Sequence, residues 1–314
     1  MRFPGSQPVS MDRRNICLLQ NRYMVSWKAD GARYLMYIRG PWQIYFIDRD
    51  SAVFEMQGLS FVSWRDRARH LVDTLLDGEM VIDREAGGKT TPRYLIYDII
   101  SLEGGPTLSQ DFQSRYDAIM QHLIAPRIES MKEGRIKRHR EPVGIRRKDF
   151  WPSSCTRQLL SDTFRQSLSH DSDGLVFQPV DAAYTPGTCP ALMKWKPPAL
   201  NSVDFRLKIT LDELRKKRGD LYIAGQIEPF AQIELTKELK LLDNAIIECR
   251  WNWPQGSGLA GKWIFMRLRT DKSFPNSIKT VQAICLSIIE PVTQDGLTSF
   301  IDQHSPNMQP IAAN

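Results

Sequence analysis

The chain has 314 residues, 42% of them hydrophobic and 25% charged, a composition that predicts a globular protein of one to three domains. No apolar run approaches the roughly 20 residues that span a bilayer, and the chain start lacks the apolar core of a signal peptide, so we expect an intracellular protein with no membrane partner. The five cysteines are far apart and form no CxxC pair, which argues against a zinc finger and against a disulfide framework.

The first predicted elements flank the stretch "KADGAR". Two apolar, aromatic-rich runs surround it in "VSWKADGARYLMYI", and Asp30 with Gly31 between two such strands predicts a hairpin turn. The turn does not account for Lys28 and Arg33, which stand at its two edges beside aromatic residues. The stretch is therefore either a solvated hairpin or a place where a lysine is held for chemistry.

Strands alternate with helices along the first 200 residues. The run "SWRDRARHLVDTLL" has apolar residues at helical spacing behind Ser63 as a cap, and it predicts a helix. The run "SQDFQSRYDAIMQHLIAP" predicts a second helix that ends at Pro126, and "CTRQLLSDTFRQSLSH" predicts a third. The runs "LLDGEMVID", "RYLIYDII", "GLVFQPV" and "LMKWKPP" predict strands.

The pattern changes after Pro197 and Pro198, which break the chain. The run "VDFRLKITL" alternates strictly, and several short strands follow it, so we predict a small barrel or sandwich. The run "NSIKTVQAICLSIIE" then predicts a helix. The predicted domains are a larger α+β domain over 1–203, a small all-β domain over 204–274, a C-terminal helical segment that packs back over 275–304, and a disordered tail over 305–314.

The net charge of +6 is concentrated in one segment. The run "RIKRHREPVGIRRK", from Arg135 to Lys148, holds seven basic residues and one Glu, so the charges of the remaining chain balance. This segment is either a solvated loop, a landing site for phosphate groups of a partner, or a nuclear-import patch. The balanced remainder does not predict a general basic surface for a polyanion.

Charged residues at the edges of predicted strands form a second pattern. Glu79 follows the Asp77-Gly78 pair and Asp173 is the first residue of the Asp173-Gly174 pair, and carboxylates there would hold a divalent metal or a ribose hydroxyl. A lysine withdrawn from water beside other cations loses its proton more readily, and a neutral amine is a nucleophile. Exposed strands guarded by charge are the alternative. The cations that would neutralise a triphosphate are Lys194, Lys196, Arg269 and Lys272.

Six motifs occur in a fixed order: "KADGAR", "DGE", "YLIYDI", "DGLVF", "LMKWK" and "RLRTDK". This ordered set resembles the covalent nucleotidyltransferase superfamily, which comprises mRNA capping enzymes and the ATP- or NAD-dependent polynucleotide ligases. The flanking runs "QPVSMDRRNICLL" and "LMKWKPPALNSVDFRLKI" narrow the resemblance to the guanylyltransferase domain of animal-type mRNA capping enzymes. The similarity extends from Phe3 to Gln303.

The resemblance implies a fold in two parts. The first is an α+β nucleotidyltransferase domain of the ATP-grasp-like kind found in ligases and capping enzymes, with antiparallel sheets and helices. The second is an all-β OB-fold domain that opens and closes over GTP.

The implied activity is that of an mRNA guanylyltransferase in the nucleus. GMP would pass from GTP, through a covalent lysine intermediate, to the 5′-diphosphate end of nascent RNA, forming the GpppN cap. Mg²⁺ or Mn²⁺ is the implied cofactor, and the phosphorylated C-terminal tail of RNA polymerase II is an implied partner.

The motifs also imply roles for individual residues. Lys28 would attack the α-phosphate of GTP, Asp173 would bind the metal, and Tyr97 would stack on the guanine. The sugar and phosphates would be contacted by Arg33 and Glu79 at the ribose, Arg49 at the sugar-phosphate, Lys194 and Lys196 at the α-phosphate, and Arg269, Asp271 and Lys272 at the β- and γ-phosphates.

Two other functions stay open at this point. An ATP-dependent polynucleotide ligase shares the lysine chemistry but adenylylates itself, and nothing in "KADGAR" selects guanine over adenine. A non-catalytic scaffold that binds the polymerase tail is the second, although all six motifs keep their reactive residues. The resemblance further implies an RNA triphosphatase with a Cys-x5-Arg loop; the sequence has no such loop, so we expect that activity on a separate protein or on a domain outside this chain.

Overall fold

A computed structural model describes residues 3–85, 87–212, 214–253 and 261–306. Within these residues the chain forms seventeen strands, numbered in chain order. Strands β1 to β9 cover Ser6–Ser10, Tyr23–Ala29, Ala32–Gly40, Gln43–Ile47, Val53–Glu55, Thr74–Arg84, Thr90–Leu102, Gly105–Pro106 and Gly144–Arg147. Strands β10 to β17 cover Trp151–Pro152, Ser172–Pro179, Gly187–Trp195, Ser202–Leu211, Lys217–Tyr222, Ala231–Ile233, Ile246–Asn252 and Lys262–Leu268.

The same residues form six α-helices, a π-helical turn and five short 3₁₀ segments. Helices α1 to α6 cover Phe112–Ala118, Ala125–Lys132, Thr156–Leu159, Asp162–Ser167, Ile278–Ile289 and Gln294–His304. The π-helical turn is Ile119–Ile124, and the 3₁₀ segments are Ile16–Gln20, Arg138–Arg140, Ser153–Cys155, Pro198–Leu200 and Leu239–Leu241. None of the described helices is long and apolar enough to cross a membrane. The predicted disordered tail lies, from residue 307 on, outside the described residues.

The described residues divide into two units. Unit 1 is drawn from 1–9, 17–195 and 298–314, and unit 2 from 10–16 and 196–297. The chain passes from unit 1 to unit 2 after Trp195, directly before the Pro197 and Pro198 pair that breaks the sequence pattern. The predicted boundaries at 203 and 274 stay predictions.

Unit 1 contains two sheets. The first has the order β1-β12-β11-β2-β10, and the second has the order β5-β4-β3-β6-β7-β8, with β9 added beside β7 in parallel. One hydrophobic core of the unit packs the second sheet against α1, and Phe46, Tyr94, Phe112 and Tyr116 are all buried in it. This packing holds β3, β6 and β7, which carry parts of the sequence motifs, in one packed sheet.

The hairpin predicted at Asp30 and Gly31 is wrong. The two flanking strands belong to different sheets, because β2 pairs with β11 and β10 while β3 pairs with β4 and β6. The Asp30 N–H donates to the carbonyl of Asp171 at 2.9 Å, so the first half of the turn stays with the first sheet. From Ala32 the chain is paired with β6. The "KADGAR" stretch is therefore a crossover between sheets, which carries Lys28 on one and Arg33 on the other.

The helix predicted over "SWRDRARHLVDTLL" is also wrong. Residues 63–73 form an irregular loop closed by a bridge between Val62 and His70, and the remainder begins β6. The Asp66 carboxylate accepts the N–H of Ala68 at 2.9 Å, which caps a turn where the helix would have continued. Trp64 and Val72, which a helix would have buried on one face, are partly exposed.

The helix predicted up to Pro126 is confirmed but is longer than expected. Helix α1 continues through the π-helical turn into α2, and Pro126 lies in the first turn of α2, where a missing N–H group is tolerated. The third predicted helix is present as two short helices, α3 and α4, and Ser161 caps the second by accepting the N–H of Phe164 at 3.2 Å.

Unit 2 is built around a five-stranded antiparallel sheet with the order β15-β14-β13-β16-β17. The alternation in "VDFRLKITL" is confirmed, because Phe205 and Leu207 are fully buried while Lys208 between its apolar neighbours is exposed. Helix α5 covers the core side of this sheet with Val281. A mixed α+β part followed by an all-β sheet consistent with an OB fold confirms the predicted fold class.

Candidate active site

Lys28 lies on β2, and the neighbouring strand places a carboxylate directly beside it. The Lys28 Nζ donates to Asp173 Oδ1 at 2.7 Å, and about a quarter of each side chain is exposed. The pairing of β11 with β2 shifts register between Ser172 and Leu175, so Asp173 lies in a β-bulge. Gly174 completes this bulge with a φ of 155°, a conformation that favours glycine. The bulge turns Asp173 toward the lysine on the adjacent strand.

Glu79 lies on the second sheet, on β6 directly opposite Arg33 of β3. Burial raises the pKa of Glu79, while the positive charges of Lys148, Lys28 and Arg49 act in the opposite direction. The carboxylate of Glu79 therefore lies within the electrostatic reach of Lys28. We call Lys28, Asp173, Glu79 and Lys148 the Lys28 cluster.

Gly31 is required by the close approach of the crossover to β6. A Cβ atom at this position would lie 2.4 Å from the carbonyl oxygen of Met80 and 2.9 Å from Cγ of Glu79. The first of these atoms belongs to the backbone and cannot rotate away. The glycine thus lets the crossover pass directly over the strand that carries Glu79.

Arg33 is one of the most constrained side chains of unit 1. Its Nε donates to Asp77 Oδ1 at 2.9 Å, its second terminal nitrogen binds the other oxygen of Asp77, and a third donor reaches the carbonyl of Ser6 at 2.6 Å. The Tyr184 hydroxyl also donates to Asp77, at 2.6 Å. Burial opposes the charge of Arg33, but the contact with Asp77 raises its pKa well above the usual value. Its contact with a ribose stays a prediction, and the structure gives it a strong structural role.

Tyr97 is positioned by a second bulge. The pairing of β6 with β7 skips one residue between Asp98 and Ile96, and Tyr97 is that residue. The guanidinium carbon of Arg33 lies 5.7 Å from the centre of the Tyr97 ring. Burial raises the pKa of the Tyr97 hydroxyl well above its usual value, so the ring is neutral. Its neighbour Asp98 points the other way, into a buried pair with Arg115.

Lys148 belongs to this site, and sequence reasoning missed it. It follows β9 directly, and its N–H donates to the carbonyl of Ile96 at 2.7 Å, which extends the parallel pairing with β7. The side chain is only 4% exposed, with Nζ 5.2 Å from the centre of the Trp27 ring. Burial lowers the pKa of Lys148 to about 8, although the carboxylates of Glu79 and Asp173 act against this shift.

This position corrects the interpretation of the basic segment from Arg135 to Lys148. Lys148 is buried in the Lys28 cluster, and the guanidinium of Arg147 lies 4.1 Å from the centre of the Tyr116 ring. Arg146, directly before these two residues, is exposed. The segment is therefore not one continuous phosphate-landing surface, because its last three cations have three different environments.

A buried chain of hydrogen bonds fixes the Trp27 ring that underlies Lys148. The indole N–H of Trp27 donates to Nε2 of His170 at 2.9 Å, and Nδ1 of His170 lies 2.8 Å from Asp83 Oδ1. Because Nε2 accepts, the imidazole proton is on Nδ1 and faces Asp83. Arg93 also binds Asp83. This arrangement gives Asp83, which shares a strand face with Glu79, an orienting role.

The remaining predicted nucleotide contacts of unit 1 have different degrees of exposure. Lys194 is half-buried on β12, opposite Val176 of the strand that carries Asp173. Arg49 is exposed in the turn that follows β4, where Asp48 accepts the N–H groups of two later residues. The charge of Arg49 acts on Glu79, so it belongs to the same electrostatic neighbourhood.

In unit 2, the predicted phosphate ligands are already bound to carboxylates. Arg269 donates to Asp204 Oδ1 at 2.8 Å and forms two hydrogen bonds to Asp271, and Lys272 also binds Asp204. Glu248 lies 3.5 Å from the Arg269 guanidinium. The contact with Arg269 lowers the pKa of Asp271 to about 2. We call these five residues the Arg269 cluster.

Asp204 and Glu248 are the acidic members that sequence reasoning did not assign. Both are buried, and they stand opposite each other on β13 and β16. The sequence signal that could have identified Asp204 is the alternation in "VDFRLKITL", which assigns it to the polar face of the strand. Lys196, the third predicted cation of this unit, is half-buried just beyond the end of β12.

The donor chemistry of the Lys28 cluster fits a hard divalent cation. No three His, Cys, Asp or Glu side chains gather into a ready-made metal site anywhere in the described part of the chain. Mg²⁺, however, takes one or two protein carboxylates and completes its shell with water and substrate phosphates. Asp173 and Glu79 are carboxylates of this kind beside Lys28.

Two family models match the chain. The model of the mRNA capping enzyme catalytic domain matches residues 1–198, and the model of the mRNA capping enzyme C-terminal domain matches residues 200–298. The two matches meet within a few residues of the passage from unit 1 to unit 2.

Curated proteins with full-length similarity to this chain carry the same description. The mRNA-capping enzyme of Danio rerio is 48% identical over 306 residues, and that of Mus musculus is 49% identical over 306 residues. Each alignment covers 96% of this chain and 50% of the relative, so the chain spans about half the length of these relatives. Among solved structures, a mycobacterial DNA ligase D complexed with ATP and MES matches with a TM-score of 0.45 and 14% identity, covering 86% of this chain and 96% of that chain.

Proposed function

The chain belongs to the mRNA capping enzyme family, and from this premise we propose that it is an mRNA guanylyltransferase. It transfers GMP from GTP to Lys28 and then to the 5′-diphosphate end of nascent RNA, which forms the GpppN cap. The observation that supports this proposal best is the Lys28 cluster, where an amine, two carboxylates and a second lysine converge.

In the first step the Lys28 amine attacks the α-phosphorus of GTP. A P–N bond forms, the bond to the bridging oxygen of the β-phosphate breaks, and pyrophosphate leaves. The attacking nitrogen must be unprotonated and must lose a further proton as the phosphoamide forms. Asp173 Oδ1, 2.7 Å from Nζ, orients the amine and is placed to accept a proton from it.

Positive charge around the α-phosphate stabilises the charge that develops during attack. In unit 1, Lys148 and Lys194 supply this charge, and Arg49 adds to it from an exposed turn. Mg²⁺ or Mn²⁺, held by Asp173 with assistance from Glu79, would neutralise further phosphate charge when bound. Lys196, Arg269 and Lys272 are the proposed phosphate ligands of unit 2, with Asp271 orienting Arg269.

The nucleoside has its own proposed contacts. Tyr97 offers an uncharged ring face for the guanine, and Glu79 with Arg33 lies beside it for the ribose. Two donors of Arg33 are bound to Asp77, so Arg33 holds β3 and β6 together beside the ribose position. Only its remaining N–H groups are available to the sugar.

In the second step the terminal oxygen of the RNA 5′-diphosphate attacks the phosphorus of Lys28-GMP. The P–N bond breaks, the Lys28 amine takes up a proton and is regenerated, and the phosphate of GMP becomes part of a 5′-5′ triphosphate bridge between guanosine and the RNA. The nucleus is the proposed site of this reaction. The phosphorylated tail of RNA polymerase II is a proposed partner, and Arg146 is the exposed cation of β9 that could bind it.

Labelling with α-³²P-GTP or α-³²P-ATP in parallel tests the proposal. With a divalent metal, we expect acid-labile label on the denatured chain from GTP alone, and transfer of that label to diphosphate-ended RNA but not to monophosphate-ended RNA. Label from ATP alone would assign the chain to the ligases. No label from either nucleotide would favour a scaffold that binds the polymerase tail.

A further inference from the structure

A row of basic side chains lies on the face of the unit 2 sheet opposite its core. On β13, Phe205 and Leu207 point into the core, so the side chains between and after them point to the other face. These are Arg206, which is half-buried, and Lys208, which is exposed. Neither is among the residues of the six sequence motifs.

The neighbouring strand adds an aromatic ring and another cation to the same face. Tyr222 of β14 pairs with Arg206, and Arg218 pairs with Thr210. The Nζ of Lys208 lies 4.5 Å from the centre of the Tyr222 ring, which presents a half-buried face. Arg218 forms an ion pair with Asp220 at 2.9 Å, but 41% of its side chain is exposed.

The hairpin between β13 and β14 extends the row. It carries "RKKR" at positions 215–218, and both Lys216 and Lys217 are exposed. Asp212 Oδ1 accepts the N–H of Lys216 at 2.7 Å, and Arg215 takes a positive φ of 58°.

At its other end the row reaches the Arg269 cluster. The Arg206 guanidinium donates to the carbonyl of Ser273 at 3.0 Å, in the residue directly after Lys272, and to the carbonyl of Asn244 at 2.7 Å. Both of these partners are neutral carbonyl oxygens. We call Arg206, Lys208, Tyr222, Arg218 and Lys216 the outer row. Lys217 is not part of it, because it pairs with Leu211 on the same side of the sheet as Leu207 and Leu221. It starts beside the proposed phosphate ligands and ends at the hairpin tip.

This geometry selects the kind of ligand. Side chains two residues apart on a strand are spaced by roughly 6.6 Å, so the row presents successive cations along a line rather than converging on one point. A single phosphoserine is bound by a convergent arginine cluster, whereas a single-stranded nucleic acid needs a charged track with aromatic faces for its bases. In OB folds the loop between the first two strands is also one of the segments that bind oligonucleotides.

We propose that the outer row binds the sugar-phosphate backbone of the acceptor RNA downstream of its 5′ end. The proposal rests on the proposed function, because it takes the RNA acceptor from it. The 5′-diphosphate would be bound near the Arg269 cluster, and the following nucleotides would extend past Lys208 and Tyr222 toward the hairpin. The row then makes acceptor affinity depend on RNA length and salt, without affecting the attack of Lys28 on GTP.

The test uses the full chain with Lys208→Glu and Lys216→Glu combined, and Lys279→Glu as the matched control at an exposed position of α5. Fluorescence anisotropy measures binding of a 5′-diphosphate dinucleotide and of a 20-nucleotide RNA between 50 and 200 mM salt. We expect the double variant to form Lys28-GMP at the wild-type rate, which also shows that it folds. Its affinity for the 20-nucleotide RNA should fall at least tenfold, with a salt slope shallower by about 1.4, while the dinucleotide affinity is unchanged.

Several results would overturn the proposal. The first is an unchanged affinity of the charge-reversal variant for the long RNA, and the second is an equal loss of RNA affinity in Lys279→Glu. The third is a charge-reversal variant that still binds RNA but no longer binds a phosphoserine tail peptide. Failure of the proposed function is separable from these outcomes. It would appear as absent Lys28-GMP in the wild-type chain, while RNA binding is still measured directly.

Discussion

Replacing Lys148 with methionine tests the electrostatics of the site most quantitatively. Its pKa falls from 10.5 to about 8, and this difference corresponds to about 3 kcal/mol of free energy. Because the folded pKa is lower than the unfolded one, the unfolded chain binds more protons between pH 8 and pH 10.5. The free energy of unfolding therefore rises with pH through this window. Below pH 8 Lys148 is charged in both states, and this gain in the free energy of unfolding is absent.

The assay compares urea unfolding at pH 7.0 and pH 9.5, followed by the emission of unit 1 tryptophans such as Trp27. From Lys148 alone we expect the wild type to gain about 2 kcal/mol between these pH values. Lys148→Met should lack this gain. A Lys279→Met control should behave as the wild type does. If the wild type and Lys148→Met change equally with pH, the inference that Lys148 is a charged group held under burial is refuted.

Three further substitutions probe the geometry. In Gly31→Ala the added methyl group would lie 2.4 Å from the carbonyl oxygen of Met80. Because overpacking typically costs about 1–3 kcal/mol, we expect thermal unfolding to show a loss of this size in the free energy of unfolding. Labelling of Lys28 should also be slower. Arg33→Lys cannot keep two hydrogen bonds to Asp77, and it should lower the free energy of unfolding by about 3 kcal/mol in urea titrations; a loss below 0.5 would contradict the structural role. Asp204→Asn removes the carboxylate shared by two cations of unit 2, so the apparent KM for GTP should change while unit 1 unfolds as in the wild type; an unchanged KM would speak against phosphate binding by these cations.

Local sequence patterns predicted the elements whose contacts are local or strictly periodic. The alternation of "VDFRLKITL" predicts that Phe205 and Leu207 are buried, and the structure confirms this. The helical spacing around Phe112 and Tyr116 predicts that both lie in the core, which is also confirmed. The period of a strand or helix depends only on its own backbone, so it is visible in the sequence. The motif resemblance likewise placed Lys28 near Asp173, which the structure brings to hydrogen-bonding distance.

Features that depend on distant partners were not visible in the sequence. The Asp-Gly signal at Asp30 predicts a tight turn, but it does not show that each flanking strand finds a better partner in a different sheet. Lys148 looks like its neighbour Arg146 in the sequence, and only the parallel pairing of β9 with β7 buries one and exposes the other. The carboxylates that neutralise Arg269 come from β13 and β16, which no spacing within "RLRTDK" could reveal.

The most direct test of the central claim locates the covalent nucleotide. The chain is incubated with GTP and a divalent metal, digested, and examined by peptide mass spectrometry, alongside Lys28→Ala and Lys148→Ala variants. Lys148 is the useful competitor, because burial has lowered its pKa to about 8 in the same cluster. We predict one GMP on the peptide that contains Lys28 in the wild type and in Lys148→Ala, and none in Lys28→Ala. GMP on Lys148, or continued GMP transfer by Lys28→Ala, would contradict the assignment of Lys28 as the nucleophile.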